Sequence, residues 1–459
     1  MYDIIIIGAG TAGIAAYKEA IKYTQNLLIV NDGPWDTTCA RVGCMPSKVL
    51  IASANRMHNI QHAHELALTI DAQLDASAVM HRVRLLRDQF TSATQKDVDR
   101  WPEHHKISGR ASFIDHQTIQ VNDQHYQAKT FILAVGSTPT FEPKLKAELQ
   151  SYLLTSDQIF ELECLPKSLA VIGSGVIALE LAQAMHRLGV NVDIFARSRK
   201  VGSLTSTTLQ ALAQHELGSE LNIHFEVLPD HIQKNEHDIE ISFTEHGESK
   251  TIHVEYVLNA TGRRSLLSTL DLQHIDSQYQ NLTHLNIDPS TKQLGEYPIF
   301  VVGDAYTTTP IQHEAAHEGR EAVYNCLNYP QLKNLKTLTP FSIVFSQPEM
   351  AIVGKSAKQL QEEGINYVCG YVDYSKQGRA TVMAENKGAI ELYIEKETRL
   401  LIGAELFVTE AEHLAHLLAW TIDSKLTLDE LLKKPFYHPT LEEGLRTALK
   451  HARRQLNTH

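Results

Sequence analysis

Tyr2-Asp3-Ile4-Ile5-Ile6-Ile7-Gly8-Ala9-Gly10-Thr11-Ala12-Gly13 stands at the start of the chain and decides the reading of its first domain. The isoleucine run suits a buried strand and is far too short to span a bilayer. Glycines follow at the spacing GxGxxG, a helix-like stretch continues to about Tyr23, and Leu27 to Val30 reads as a second strand. A glycine turn between strand and helix lets backbone N–H groups approach a pyrophosphate at the helix N-terminus. Gly8, Gly10 and Gly13 are therefore candidate dinucleotide ligands.

A related unit recurs downstream. Ser168 to Ile172 reads as a strand, Gly173-Ser174-Gly175-Val176-Ile177-Ala178 as the turn, Leu179 to Leu188 as a helix, and Asn191 to Ala196 as the next strand. Gly173 and Gly175 keep the fingerprint, and Ala178 takes the third position, where only close helix–strand packing is required. Two such units imply two dinucleotides, a combination that suggests a flavoprotein using a nicotinamide. Three further strands run into glycine, at Phe131 to Gly136, Val257 to Gly262 and Ile299 to Asp304. After about Lys336 the pattern changes to strand-like segments, Gly388 to Ile394 and Leu400 to Phe407, before an amphipathic helix from about Ala411 to Ser424. With no phosphate loop, this last region is expected to pack or pair.

Composition narrows the class. The chain has 459 residues, which suggests about three domains. Lys and Arg number 42 against 54 Asp and Glu, a net charge of −12 that argues against a large nucleic-acid-binding stripe. No apolar run is long enough for a membrane helix, and no signal-peptide pattern is present. Five cysteines in this length are no disulfide framework. The expectation is a soluble, cytoplasmic, multidomain protein that binds neither nucleic acid nor membrane.

The chemistry-bearing feature is Cys39-Ala40-Arg41-Val42-Gly43-Cys44-Met45-Pro46-Ser47-Lys48. On a regular helix, cysteines five apart are separated by about 7.5 Å along the axis, beyond the usual disulfide range of about 6.8 Å between Cα atoms. A bond between them requires an irregular first turn, which Gly43 and Pro46 permit. Zinc binding is the competing use, but no nearby Cys/His pair completes a tetrahedral set, and no metal is expected. Two inert buried cysteines are the bland alternative. Near the other end, Tyr437-His438-Pro439-Thr440-Leu441-Glu442-Glu443 sets a histidine beside a carboxylate, the usual acid/base arrangement.

Taken in order, GAGTAG, CARVGCMPSK, LAVGSTP, GSGVIALE, NATGRR, FVVGDA and HPTLEE cover essentially the whole chain. The set resembles the class I pyridine nucleotide–disulfide oxidoreductases, and within them the dihydrolipoamide dehydrogenase branch. The resemblance implies an α/β fold: two Rossmann-like dinucleotide-binding domains, for FAD and NAD(P), with a C-terminal α+β dimerisation domain. Its expected boundaries are 1–148 and 266–336 for the two parts of the FAD region, 149–265 for the NAD(P) domain and 337–459 for the interface domain. It also implies that Gly8, Gly10, Gly13, Asn31 and Gly136 belong to the FAD site, where Asp304 holds the ribityl chain. Gly173, Gly175, Ala178, Arg197 and Gly262 then belong to the NAD or NADP site.

By the same resemblance Cys39 is the interchange thiol, and Cys44 lies next to the flavin as the thiolate partner in a redox disulfide. Lys48 approaches the flavin and pairs with Glu180, while His438, oriented by Glu443, acts as base from the other subunit of an obligate homodimer. The implied substrate is a small-molecule or lipoyl-domain dithiol. The implied partners are a 2-oxo acid dehydrogenase or glycine cleavage complex, with any lipoyl group supplied by the partner.

Several positions depart from the family pattern. The FAD ribose acid falls on Asn31, Asp36 and Thr37 replace the glycines before the first cysteine, and an aromatic gate falls on Val176. The acid that selects NAD falls on Ala196, followed by Arg197, Ser198, Arg199 and Lys200, a cationic cluster suited to a 2′-phosphate. Arg320 is expected to be a solvated surface charge. Two further readings follow: an NADPH-dependent reductase of another low-molecular-weight or protein disulfide, and a flavin scaffold subunit without turnover, against which the intact cysteine, lysine and histidine set speaks.

Overall fold

A computed structural model describes residues 1–306 and 311–457. The chain divides into two compact units, each built from three stretches: 1–46, 82–140 and 263–337 in the first, 47–81, 141–262 and 338–459 in the second.

In the first unit, the strand Tyr2–Ile7 lies between Leu27–Asn31 and Gln124–Leu133, with Lys106–Ser108 and Ile299–Val301 at the flanks, all parallel. Such a sheet is covered on both faces, which explains an unbroken isoleucine run where a half-exposed strand would alternate. Ile4 and Ile6 pack with the helices Thr11–Ala20 and Gln312–Asn328. Ile5 and Ile7 pack on the opposite face with Phe113, Phe131 and Leu272. Full burial of each such side chain is worth about 1.5–3 kcal/mol. The strand order reverses at Tyr2–Ile7, so the glycine turn after Ile7 opens at the carboxyl edge where such sheets bind ligands.

The second unit holds another parallel sheet, in the order Asn222–Phe225, Asn191–Ala196, Ser168–Ile172, Tyr256–Asn259, Leu153–Leu154. It also holds a five-stranded antiparallel sheet, Phe341–Val344, Glu349–Gly354, Leu401–Val408, Ala389–Glu395 and Tyr367–Asp373. The helix Ala411–Asp423 buries Ala411, Leu414, Ala415, Leu418 and Ala419, the apolar stripe of a core-facing helix. The expected strands Ser168–Ile172 and Asn191–Ala196 coincide with those observed, and the expected C-terminal strands lie within a residue of theirs. Among the described residues no helix is long and apolar enough to cross a membrane.

Candidate active site

The first glycine turn is built for close backbone approach. Gly8 has φ +104°, and a Cβ there would lie 2.4 Å from the Ala134 carbonyl oxygen; a Cβ on Gly13 would lie 1.8 Å from that of Gly8. At Gly10, by contrast, a Cβ would meet nothing within 4 Å, and no side chain caps the helix Thr11–Ala20. The turn therefore packs tightly on its inner side and leaves an open cradle of helix N-terminal N–H groups. That arrangement fits the pyrophosphate of a dinucleotide.

Asn31 is committed to the same turn. Its Oδ1 accepts the Ala9 N–H at 2.9 Å, while its Nδ2 donates to the carbonyls of Gly33 (3.1 Å) and Pro34 (2.9 Å). Gly136 has φ +69° in the turn after Gln124–Leu133. In the same unit, Asp304 follows Gly303, whose N–H donates to Glu318 at 2.8 Å; Glu318 also pairs with Lys292 at 2.7 Å. Burial raises the Asp304 carboxyl above its ordinary range, Arg263 opposes the rise and Glu318 adds to it.

The cysteine segment is broken as an irregular turn requires. Cys39 lies in the short helix Thr38–Arg41, and Cys44 begins the helix Cys44–Gln61. Thr37 caps the first of these, its Oγ1 accepting the Ala40 N–H at 3.1 Å. Asp36 is buried and forms a two-point ion pair with Arg41, with Arg41 Nε donating at 3.0 Å. Thr37 and Asp36 thus cap and clamp the turn that carries Cys39. A Thr one residue before a helix is a legible cap signal; the Asp36–Arg41 clamp has none, because it joins residues five apart across an irregular turn.

Lys48 stands one turn after Cys44 on the same helix. Its Nζ lies 2.7 Å from Glu180 Oε2 and 4.4 Å from the centre of the Phe345 ring. Glu180 is buried, and its second oxygen accepts the Phe345 N–H at 2.9 Å. The expected pair is formed, with both carboxylate oxygens satisfied.

The second glycine turn repeats the first. A Cβ on Gly173 would lie 2.5 Å from the Ala260 carbonyl oxygen, whereas Gly175 is open and begins the uncapped helix Val176–Arg187. Ala178 is fully buried, and Gly262 has φ +132° in the turn after Tyr256–Asn259. Arg197, Ser198, Arg199 and Lys200 are exposed. Their turn is fastened to the glycine loop: Ser174 Oγ donates to the Lys200 carbonyl at 2.7 Å, and the Gly202 N–H donates to the Ser174 carbonyl at 2.9 Å. Val176 is partly exposed beside this loop and Arg320, in the first unit, is exposed.

His438 Nδ1 lies 3.0 Å and 3.2 Å from the two oxygens of Glu443, the first residue of the helix Glu443–Asn457. The carboxylate also accepts the Thr440 N–H, and a helix N-terminus favours its charge. Because a carboxylate takes the Nδ1–H, Nε2 is the ring position left for an incoming proton. The His438 side chain is 81% exposed and Tyr437 is equally open, while the loop beneath is pinned by Tyr374 and Gln377 donating to the carbonyls of Leu441 and Thr440.

Known proteins share this architecture. The family described as pyridine nucleotide-disulphide oxidoreductase matches residues 2–319, and its dimerisation domain matches residues 340–449. Dihydrolipoyl dehydrogenase of Geobacillus stearothermophilus is 27% identical, covering 96% of this chain and 94% of that protein. The Bacillus subtilis dihydrolipoyl dehydrogenase is 28% identical over the same shares. In fold, the chain is similar to LpdA from Mycobacterium tuberculosis, at TM-score 0.84 and 21% identity over 99% of this chain and all of that one. It is also similar to the HOCl-induced flavoprotein disulfide reductase RclA from Escherichia coli, at TM-score 0.79 and 18% identity over 98% of each. The chain belongs to the pyridine nucleotide-disulphide oxidoreductases, enzymes that act on a disulfide.

Proposed function

We propose that the chain oxidises a dithiol, with a dihydrolipoyl group as its first candidate, and passes the electrons to a pyridine nucleotide by way of FAD. The observation that carries this reading is the His438–Glu443 pair, a histidine with Nδ1 held by a carboxylate and the rest of its ring exposed. One substrate thiolate attacks Cys39 of an oxidised Cys39–Cys44 pair and displaces Cys44 as thiolate. The second substrate thiol gives its proton to His438, attacks the mixed disulfide and releases Cys39, leaving an oxidised substrate and a reduced pair. Bound FAD supplies the two-electron acceptor chemistry that relays this pair of electrons to the nicotinamide. The Lys48–Glu180 pair fixes a cation one turn from Cys44. The names of the dihydrolipoyl dehydrogenase relatives support this dithiol, and with it a lipoyl-domain partner in a 2-oxo acid dehydrogenase or glycine cleavage complex. The matched dimerisation domain supports a homodimer in which His438 of one subunit serves the cysteines of the other.

Alanine at His438 tests the reading. Dithiol oxidation is expected to slow by about 10²–10⁴-fold while flavin reduction by the nicotinamide persists. An unchanged dithiol rate would remove His438 as the base.

A second reading is favoured by the exposed Arg197–Lys200 turn, tied to the glycine loop through Ser174. Those cations suit a nucleotide 2′-phosphate, and the enzyme would then run from NADPH toward a disulfide. Under this reading Arg197→Glu lowers kcat/KM with NADPH at least about tenfold relative to NADH, a difference of about 1.4 kcal/mol. An unaltered ratio would mark the turn as solvated surface.

A further inference from the structure

At the far end of the helix that begins with Cys44, the sequence His58-Asn59-Ile60-Gln61-His62-Ala63-His64 brings three imidazoles together. His58 and His62 are one helical turn apart, with ring centroids separated by 4.0 Å and planes inclined at 36°. His62 Nδ1 lies 2.9 Å from the His58 carbonyl oxygen, which can only accept. The neutral ring therefore carries its hydrogen on Nδ1 and presents a lone pair at Nε2. His64 repeats the device against the Gln61 carbonyl at 3.2 Å, its ring 6.1 Å from that of His62. A neutral imidazole whose Nδ1–H is held by a backbone carbonyl, as in His62, is in the state that metal ligation requires.

His58 and His62 line a cleft of about 520 Å³ together with His186, Glu216 and Glu220. Glu220 is committed to Arg187, with contacts of 2.5 and 3.0 Å. Glu216 has a looser ion pair, 3.5 Å from the exposed Lys387. Among the described residues no third side-chain ligand stands ready beside the two rings, the one preassembled group being Glu410, Glu412 and His413 elsewhere. Closure around an ion therefore falls to water and to rotation of Glu216 or His186.

We propose that this cleft is a binding site for a borderline-soft divalent cation of the Zn²⁺ or Ni²⁺ type, held by the paired imidazoles of His58 and His62. Nitrogen ligands on one helical turn suit these ions, and hard cations such as Mg²⁺ are poorly served by them. The site is independent of the proposed redox function.

The test is calorimetric titration of the flavin-loaded full chain with Zn²⁺, Ni²⁺ and Mg²⁺, repeated in a C39S/C44S background so that thiols contribute nothing. One Zn²⁺ or Ni²⁺ per chain is expected, with little heat from Mg²⁺. His62→Ala, at an exposed position, is expected to weaken binding at least about tenfold, and His58→Asn to do the same with the flavin still bound. Absence of uptake, uptake unchanged by both substitutions, or uptake abolished instead by His413→Ala would each overturn the proposal.

Discussion

Cys44 is the first residue of an 18-residue helix, so a thiolate there meets the positive end of the helix dipole. Cys44→Ser is therefore expected to abolish dithiol turnover while the protein stays yellow; normal lipoamide activity in that variant would remove the cysteine from the mechanism. The turn carrying Cys39 depends on its neighbours. Asp36 is 7% exposed and Arg41 is its ion-pair partner, so Arg41→Ala strands a buried carboxylate. The expected cost is about 1–3 kcal/mol, read as a lower unfolding midpoint of the FAD-loaded protein. Equal midpoints for the variant and the parent would show the clamp to be idle. Asp36 and Thr37 show where residue-level reading stops. As departures from a glycine pattern they look like weakened contacts, yet Thr37 supplies a cap and Asp36 a clamp. Asn31 is similar: it stands where the family places an acid and instead ties Ala9 to the loop after the second strand.

At the scale of elements, apolar runs placed the central parallel strands, whereas the short flanking strands Lys106–Ser108, Leu153–Leu154 and Asn222–Phe225 carried no such run. An unbroken apolar run bounded by glycine has one good solution in a two-faced sheet, and Tyr2–Ile7 and Ser168–Ile172 both take it. The polar interior had no such signal. His224 is buried between Asp193 (3.1 Å from Nε2) and Glu245 (2.9 Å from Nδ1), stacked on Phe195, with Lys250 on the outer oxygen of Glu245 and Asn222 on Asp193. Burial pulls this imidazole down, but the hydrogen bonds and charges of the two carboxylates outweigh it, and the net direction is upward. A raised folded value means that the stabilisation is complete below the unfolded value of about 6.5 and is lost as pH rises through the folded value. His224→Gln should therefore lower the unfolding midpoint most at acidic pH, the gap narrowing toward alkaline pH. A gap that widens with rising pH would show that the ring folds neutral. Such a site brings together residues from Asn191–Ala196, Asn222–Phe225 and Ile239–Glu245, and local patterning cannot announce it.

Across the whole molecule, motif order was the legible property: two glycine turns, a cysteine pair between them and a terminal histidine, matched by one family over residues 2–319 and 340–449. Less legible was the grouping of residues 47–81 with 141–262 and 338–459. Part of its cause is Arg187, buried, which bonds Asn55 at 2.9 Å, Gln347 at 2.6 Å and Glu220 at 2.5 Å. Hydrogen bonds and charge pairs between such distant positions leave no short-range trace. Electron transfer between a dithiol and a pyridine nucleotide is the activity proposed for the Cys39–Cys44 pair. Anaerobic titration of the purified yellow protein with dihydrolipoamide, followed by flavin absorbance and then by separate additions of NAD⁺ and NADP⁺, tests it most directly. The expected result is a long-wavelength absorbance band that grows with dithiol and is discharged by a nicotinamide. An oxidised flavin spectrum that ignores the dithiol, in protein readily reduced by NADPH, would contradict the dihydrolipoyl assignment and point to another disulfide.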